Sequence, residues 1–116
     1  SLSHDQKTKI FQVITLRDVE AGESIIREGD DGDEMYLIDD GHFDVLKKNE
    51  DGVSSVVFTY TTEGAAFGEL SLMYGKPRAA SVRAKSPGRL WVISRLAFRA
   101  VLMKKKSTNL LVSLRA

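Results

Sequence analysis

The chain has 116 residues, 17 basic and 16 acidic side chains for a net charge of +1, two histidines and no cysteine. That length predicts one domain able to bury its own core, and the near-balance of charge and lack of a ~20-residue apolar run exclude a general nucleic-acid surface and a membrane span. Without cysteine there are no disulfides or thiolate sites, a cytoplasmic setting is expected, and His4 and His42 alone make a metal centre or other cofactor unexpected.

Along the chain, residues 4–14 read as a short helix that Ser3 can cap, with Ile10, Phe11 and Ile14 as its apolar stripe. Thr15 to Glu20 is extended, Ala21-Gly22-Glu23 turns, and Ser24 to Arg27 is a short strand. Glu28-Gly-Asp-Asp-Gly-Asp33 invites comparison with a calcium loop. It lacks the mid-loop glycine and twelfth-position glutamate of an EF-hand, so it reads as a tight polar turn with positive φ at its glycines. Glu34 to Asp39 is a strand covered on both faces, Asp40-Gly41 a hairpin signal, and His42 to Lys47 the returning strand. A turn at Asn49–Gly52 leads to a third paired strand, Ser54 to Tyr60. After residues 67–82 come a break at Ser86-Pro87-Gly88 and a strand, Arg89 to Ser94. Ser94 caps a helix over Arg95–Lys105, with Leu96, Phe98, Val101 and Leu102 as its apolar face, and Ser107 caps an apolar helix, Thr108–Arg115. Short strands with regular turn signals predict a mainly β fold, a β-roll of jelly-roll type over about 15–94, flanked by helices at about 4–14 and 95–115.

The segment Phe67-Gly-Glu-Leu-Ser-Leu-Met-Tyr-Gly-Lys-Pro-Arg-Ala-Ala-Ser-Val82 carries the chemistry. Gly68 to Ser71 begins a one-turn helix that Gly75 ends, and free N–H groups at such a start favour phosphate. Arg78 adds a planar, permanently charged fork suited to phosphate oxygens. Glu69 would repel phosphate, so its natural partner is a hydroxyl such as that of a ribose. Ala79 and Ala80 leave their N–H groups open to a ligand. Glu69 and Arg78 could instead pair with each other, and an exposed pair contributes only ~0–1 kcal/mol. No nucleophile–base pair or Gly-Lys-Ser/Thr phosphate loop is present, so an enzyme is not expected.

Phe67 to Leu72 and Tyr74 to Val82 closely resemble the phosphate-binding cassette of cyclic-nucleotide-binding domains, nearest to those of regulatory subunits of cAMP-dependent protein kinase. Ile26 to Asp33, Tyr36 to Gly41 and Leu90-Trp91 extend the resemblance over roughly residues 8 to 106. The resemblance implies a β-roll flanked by helices and cAMP as regulatory ligand. Glu69 would bind the ribose 2′-hydroxyl and Arg78 the exocyclic phosphate oxygens, with the N–H groups of Gly68, Ser71 and Ala79 completing the cradle. Asp33 matches an acidic residue associated with the phosphate-binding arginine, and Leu70 and Tyr74 would be packing elements through which the cassette senses the C-terminal helix. Ala79 stands where cGMP-selective relatives often carry Thr or Ser, which favours cAMP. Implied partners are a kinase catalytic subunit and a second cyclic-nucleotide-binding domain in the full-length chain. Asn49 to Val57 is longer than the corresponding turn of the family, and Thr108 to Arg115 does not match its next helix, so no residue is assigned as the cap over the base. Three rivals remain: a cupin-type enzyme, opposed by the missing histidine cluster; a cGMP-binding domain of a kinase, channel or transcription factor; and an interaction module that does not bind nucleotide.

Overall fold

Four consecutive buried residues, Met35-Tyr36-Leu37-Ile38, set the architecture. Alternate side chains of a strand point to opposite faces, so four buried neighbours in a row require cover on both sides. The computed structural model describes residues 14–101 together with 111, 112, 114 and 115. Its strands are β1 (Ile14–Val19), β2 (Ser24–Ile26), β3 (Glu34–Asp40), β4 (Phe43–Lys48), β5 (Ser54–Tyr60), β6 (Ala66–Phe67), β7 (Ser81–Ala84) and β8 (Gly88–Ser94), with helices α1 (Glu69–Tyr74) and α2 (Arg95–Val101). They form two antiparallel sheets, ordered β1-β8-β3-β6 and β2-β7-β4-β5. This is the mainly β roll expected from the turn spacing.

β3 separates two apolar clusters. Tyr36 and Ile38 join Val19, Ile26, Phe43, Phe67, Val82, Ala84, Leu90 and Val92 in one. Met35 and Leu37, on the opposite face, join Ile93 of β8, Leu72 of α1, Ala97 and Phe98 of α2, and Leu111 and Leu114 of the C-terminal segment. Each fully buried Leu, Ile or Phe stabilises by about 1.5–3 kcal/mol, so both clusters hold β3 in place. The second one ties α1 to the C-terminal segment.

Several expectations need correction. Asp40-Gly41 does not close a hairpin: β3 pairs with β6 and β8, and β4 with β5 and β7. The chain turns a corner there from one sheet to the other, because β3 must lie inside its own sheet. Gly41 has φ 99° and packs against Gly88, whose Cα would lie 2.8 Å from an added Cβ. Ile14, expected at a helix end, opens β1 opposite Ile93, while the rest of that helix lies outside the described residues. Ser94 does cap α2, its Oγ accepting the Ala97 N–H at 3.3 Å. The buried face of α2 is Ala97 and Phe98, however, and Leu96 is exposed. Leu102 to Lys105 and Thr108 to Leu110 lie outside the described residues; 111, 112, 114 and 115 are helical.

Candidate functional site

The site is built on a reversal of the chain at the end of β6. Phe67 is buried and stacks on Tyr36 and Tyr60, with centroids 5.2 and 5.6 Å away. At Gly68 the backbone turns left-handed (φ 83°), and an added Cβ would lie 2.8 Å from Arg78 Nη1 and 3.2 Å from Ile26 Cδ1. Only glycine meets both the torsional and the steric demand. α1 follows for six residues and closes at Gly75 (φ 63°), whose N–H donates to the Ser71 carbonyl at 3.0 Å. The helix buries Ser71 and Leu72, and leaves Leu70, Met73 and Tyr74 exposed. Its first-turn N–H groups, from Glu69 to Ser71, have no intrahelical acceptor.

Arg78 returns underneath this turn. It is only 8% exposed, with Nη1 donating to the Gly68 carbonyl at 2.8 Å and Nη2 to the Glu34 carbonyl at 2.7 Å. Its backbone is held as well: Arg78 N–H donates to the Asp30 carbonyl, and Gly29 N–H donates to the Arg78 carbonyl, both at 2.8 Å. The guanidinium lies against Gly32, where an added Cβ would come within 2.2 Å of Cζ and Nε. Among the described residues, no carboxylate forms an ion pair with it. A cation removed from water with carbonyl dipoles but no counter-charge is incompletely compensated, and an anion would complete it.

The complementary feature is Glu69, whose Oε2 is buried without a hydrogen-bond partner. A buried carboxylate oxygen in that condition is costly unless a donor arrives from outside the protein. Glu69 and Arg78 line one cleft of about 170 Å³, with Gly68, Leu70, Ser71, Ala79 and Ala80, floored by Ile26, Val45, Tyr60, Phe67 and Val82. Burial, and then the charge of Glu69, push the Tyr60 phenol above its ordinary range. Burial and Glu34 do the same to Tyr36, which Arg78 partly opposes. A larger cavity of about 230 Å³ also reaches Arg78, but Asp30, Asp31, Asp33 and Glu34 line it. Those carboxylates disfavour a phosphate there, which leaves the smaller cleft, with Glu69 as its one carboxylate, as the candidate anion site. An apolar floor, one cation and one free acceptor fit an amphipathic ligand with a negative group and a hydroxyl donor.

The residues expected at the site therefore converge: Gly68, Glu69, Leu70, Ser71, Arg78, Ala79 and Ala80 line one cleft, and Phe67 backs it. The alternative surface pair between Glu69 and Arg78 does not form, since Arg78 is buried and bonded elsewhere. Asp33 is exposed; its carboxylate makes no hydrogen bond to Arg78 and its carbonyl accepts the Arg95 N–H at 3.0 Å. Leu70 and Tyr74 are 52% and 63% exposed; among the described residues it is Leu72 that shares an apolar cluster with Leu111 and Leu114. The first buried position of α1 is thus shifted by the left-handed entry at Gly68. Gly32 lacks the positive φ expected of it, which Gly29 has at 87°, and its role is space for the Arg78 guanidinium. Tyr60 and the Glu34 carbonyl were missed as site elements. A β-branched, aromatic strand signals burial, and nothing local tells which cavity a strand end will reach.

The profile of the cyclic nucleotide-binding domain matches residues 16–105. The regulatory domain of Toxoplasma gondii PKA, solved with cAMP, is 36% identical at a TM-score of 0.76, over 87% of this chain and 38% of that one. A cyclic nucleotide-binding domain from Methylobacillus flagellatus KT is 26% identical at a TM-score of 0.74, over 99% and 64%. The catabolite activator protein of Thermus thermophilus, 20% identical at a TM-score of 0.74 over 99% and 54%, shares the fold. The chain thus spans well under half of the Toxoplasma chain it resembles. With its profile match extending across both sheets and the cleft between Glu69 and Arg78, this chain belongs to the cyclic nucleotide-binding domain family.

Proposed function

We propose that this domain binds cAMP and serves as the ligand-sensing part of a cAMP-dependent protein kinase regulatory subunit, releasing or activating the catalytic subunit. One observation carries the reading: a buried Arg78 and the buried Oε2 of Glu69, neither with a countering partner among the described residues, share one cleft. A cyclic phosphate supplies the missing negative charge to Arg78, and the ribose 2′-hydroxyl supplies the missing donor to Glu69. The apolar floor takes the sugar and part of the base. Binding is the whole of the proposed chemistry. Ala79, exposed at the rim, offers no hydroxyl to a guanine amino group, which favours adenine. The likeness to the Toxoplasma regulatory domain with cAMP supports both the nucleotide and the kinase context. Since the chain covers 38% of that relative, a second nucleotide domain and a cytoplasmic kinase partner belong to the same proposal.

Signalling follows from linkage: ligand shifts the domain only by its differential affinity for two arrangements, ~1–3 kcal/mol for a 5–150-fold effect. α1 is the physical connection, because it carries Glu69 into the cleft and Leu72 into the cluster with Leu111 and Leu114. The test is thermal unfolding with cAMP, cGMP or adenosine. A ligand at 100 times its Kd stabilises by about 2.7 kcal/mol. cAMP should raise the midpoint most, cGMP less, and adenosine, lacking the phosphate, least. No shift with either cyclic nucleotide would leave an interaction module instead.

A further inference from the structure

Arg115 lies in the C-terminal segment, 37 residues beyond Arg78 in the sequence, yet it reaches the loop that feeds the cleft. Its Nε donates to Asp39 Oδ1 at 2.9 Å, its Nη1 to Glu63 Oε2 at 2.9 Å, and its Nη2 to the Asp39 carbonyl. Asp39 also accepts the Trp91 indole N–H at 3.1 Å, and its side chain is only 14% exposed. A lone surface ion pair contributes little, but here a planar fork spans three oxygens, one of them on a carboxylate fixed by a second donor. Glu63 sits one residue before Gly64, whose N–H donates to the Ile38 carbonyl, and two before Ala65, whose carbonyl accepts the Ile38 N–H, both at 2.9 Å. The chain then runs straight through β6 into Gly68 and Glu69. From the same segment Leu111 and Leu114 pack with Leu72 of α1. The C-terminal segment thus holds α1 by apolar packing and the entry to α1 by charge.

We propose that Arg115 is a positioning residue for the ligand site, an ionic clasp on Asp39 and Glu63 that fixes the C-terminal segment against α1 and so holds Glu69 in place. Its effect on affinity rests on the nucleotide reading above; its effect on α1 does not. The chain of 116 residues is compared with Arg115→Gln, Glu63→Gln and the charge-swapped pair Glu63→Arg with Arg115→Glu. Amide hydrogen exchange over residues 61–74 is measured without nucleotide, and cAMP affinity by calorimetry. Arg115→Gln should speed exchange in α1 while leaving β4 unchanged, and weaken cAMP by ~3–10-fold. Glu63→Gln, at a 59% exposed side chain, should do the same to a smaller degree without threatening the fold, and the swapped pair should recover toward the parent. Unchanged exchange in α1 would overturn the clasp, whatever the nucleotide does. Faster exchange with an affinity within twofold of the parent, or a tighter one, would overturn the positioning role. A parent chain with no cAMP binding but faster α1 exchange in Arg115→Gln would support the clasp and sink the nucleotide reading.

Discussion

Among the described residues, the guanidinium of Arg78, a residue 8% exposed, finds the carbonyls of Gly68 and Glu34 and no carboxylate, whereas Arg115, with a side chain 40% exposed, holds the carboxylates of Asp39 and Glu63. In water's vicinity an arginine is easily satisfied, yet here the exposed guanidinium has two counter-charges and the buried one has none among the described residues. Stability alone would arrange the reverse, because desolvating an unpaired cation costs more than leaving one in solvent. The difference separates a fold-holding contact from a cleft with a place for an outside anion, as the proposed nucleotide site requires. Glu69 repeats the pattern from the acidic side, with a buried oxygen lacking a donor.

The comparison breaks most sharply at Arg78. Arg78→Lys keeps the charge and loses the fork; charge-assisted hydrogen bonds contribute about 1.5–3 kcal/mol each, so cAMP affinity should fall on the order of 100-fold. Circular dichroism should stay that of the parent, and calorimetric affinity close to the parent value would remove Arg78 from the site. Gly32→Ala tests the same cradle from beneath. Its Cβ would meet the guanidinium at 2.2–2.3 Å, and a long side chain yields more readily than backbone. The fold should survive with Arg78 displaced and cAMP weakened about tenfold, as loss of one charged hydrogen bond predicts. Unchanged affinity would mean that the guanidinium position seen here does not matter for binding.

Ala79→Thr sharpens the base preference at an exposed position where the added hydroxyl has room. One neutral hydrogen bond contributes about 0.5–1.5 kcal/mol, so the cAMP-to-cGMP affinity ratio should narrow by roughly two- to tenfold. Titration of both nucleotides against parent and variant checks it, and an unchanged ratio removes Ala79 from base selection. The smallest effect belongs to the Arg115 side. Burial opposes ionisation of Asp39, but the hydrogen bonds from Arg115 and Trp91 outweigh it and hold the carboxyl below its ordinary value of 3.8. A depressed carboxylate stabilises the fold above its unfolded pKa, and that contribution is lost as pH falls through the folded value. Between about pH 5 and pH 3 the parent should therefore lose more of its unfolding temperature than Arg115→Gln, by about 1–4 °C. Parallel curves would show the Arg115 contact to be energetically silent.

Much of the cleft was readable because its residues are contiguous. Glycines flanking a single helical turn, a carboxylate within it and an arginine after a Pro break lie in one stretch, so local geometry already brings a hydroxyl acceptor and an anion donor together. The helix cap at Ser94 was equally local. The hairpin at Asp40-Gly41 was misread because turn chemistry reports that the chain bends, while pairing depends on which sheet has room for the strand. The resemblance implies packing roles for Leu70 and Tyr74, whereas α1 as it enters from Gly68 buries Ser71 and Leu72 and leaves those two exposed. Asp33, associated with Arg78 by the resemblance, lines the larger cavity together with it but makes no hydrogen bond to it, and its carbonyl is engaged by the Arg95 N–H.

By itself the sequence determined the class of the fold and the cleft-lining stretch, since strand periodicity, glycine torsions and the order of residues 67–82 act over a few neighbours. Tertiary structure decided the state of each charge. Whether Arg78 meets a carboxylate, why Gly32 must lack a side chain, and that Arg115 reaches Glu63 depend on segments dozens of residues apart meeting in space. Desolvation and counter-charge are set by that meeting, and no short window of residues contains them.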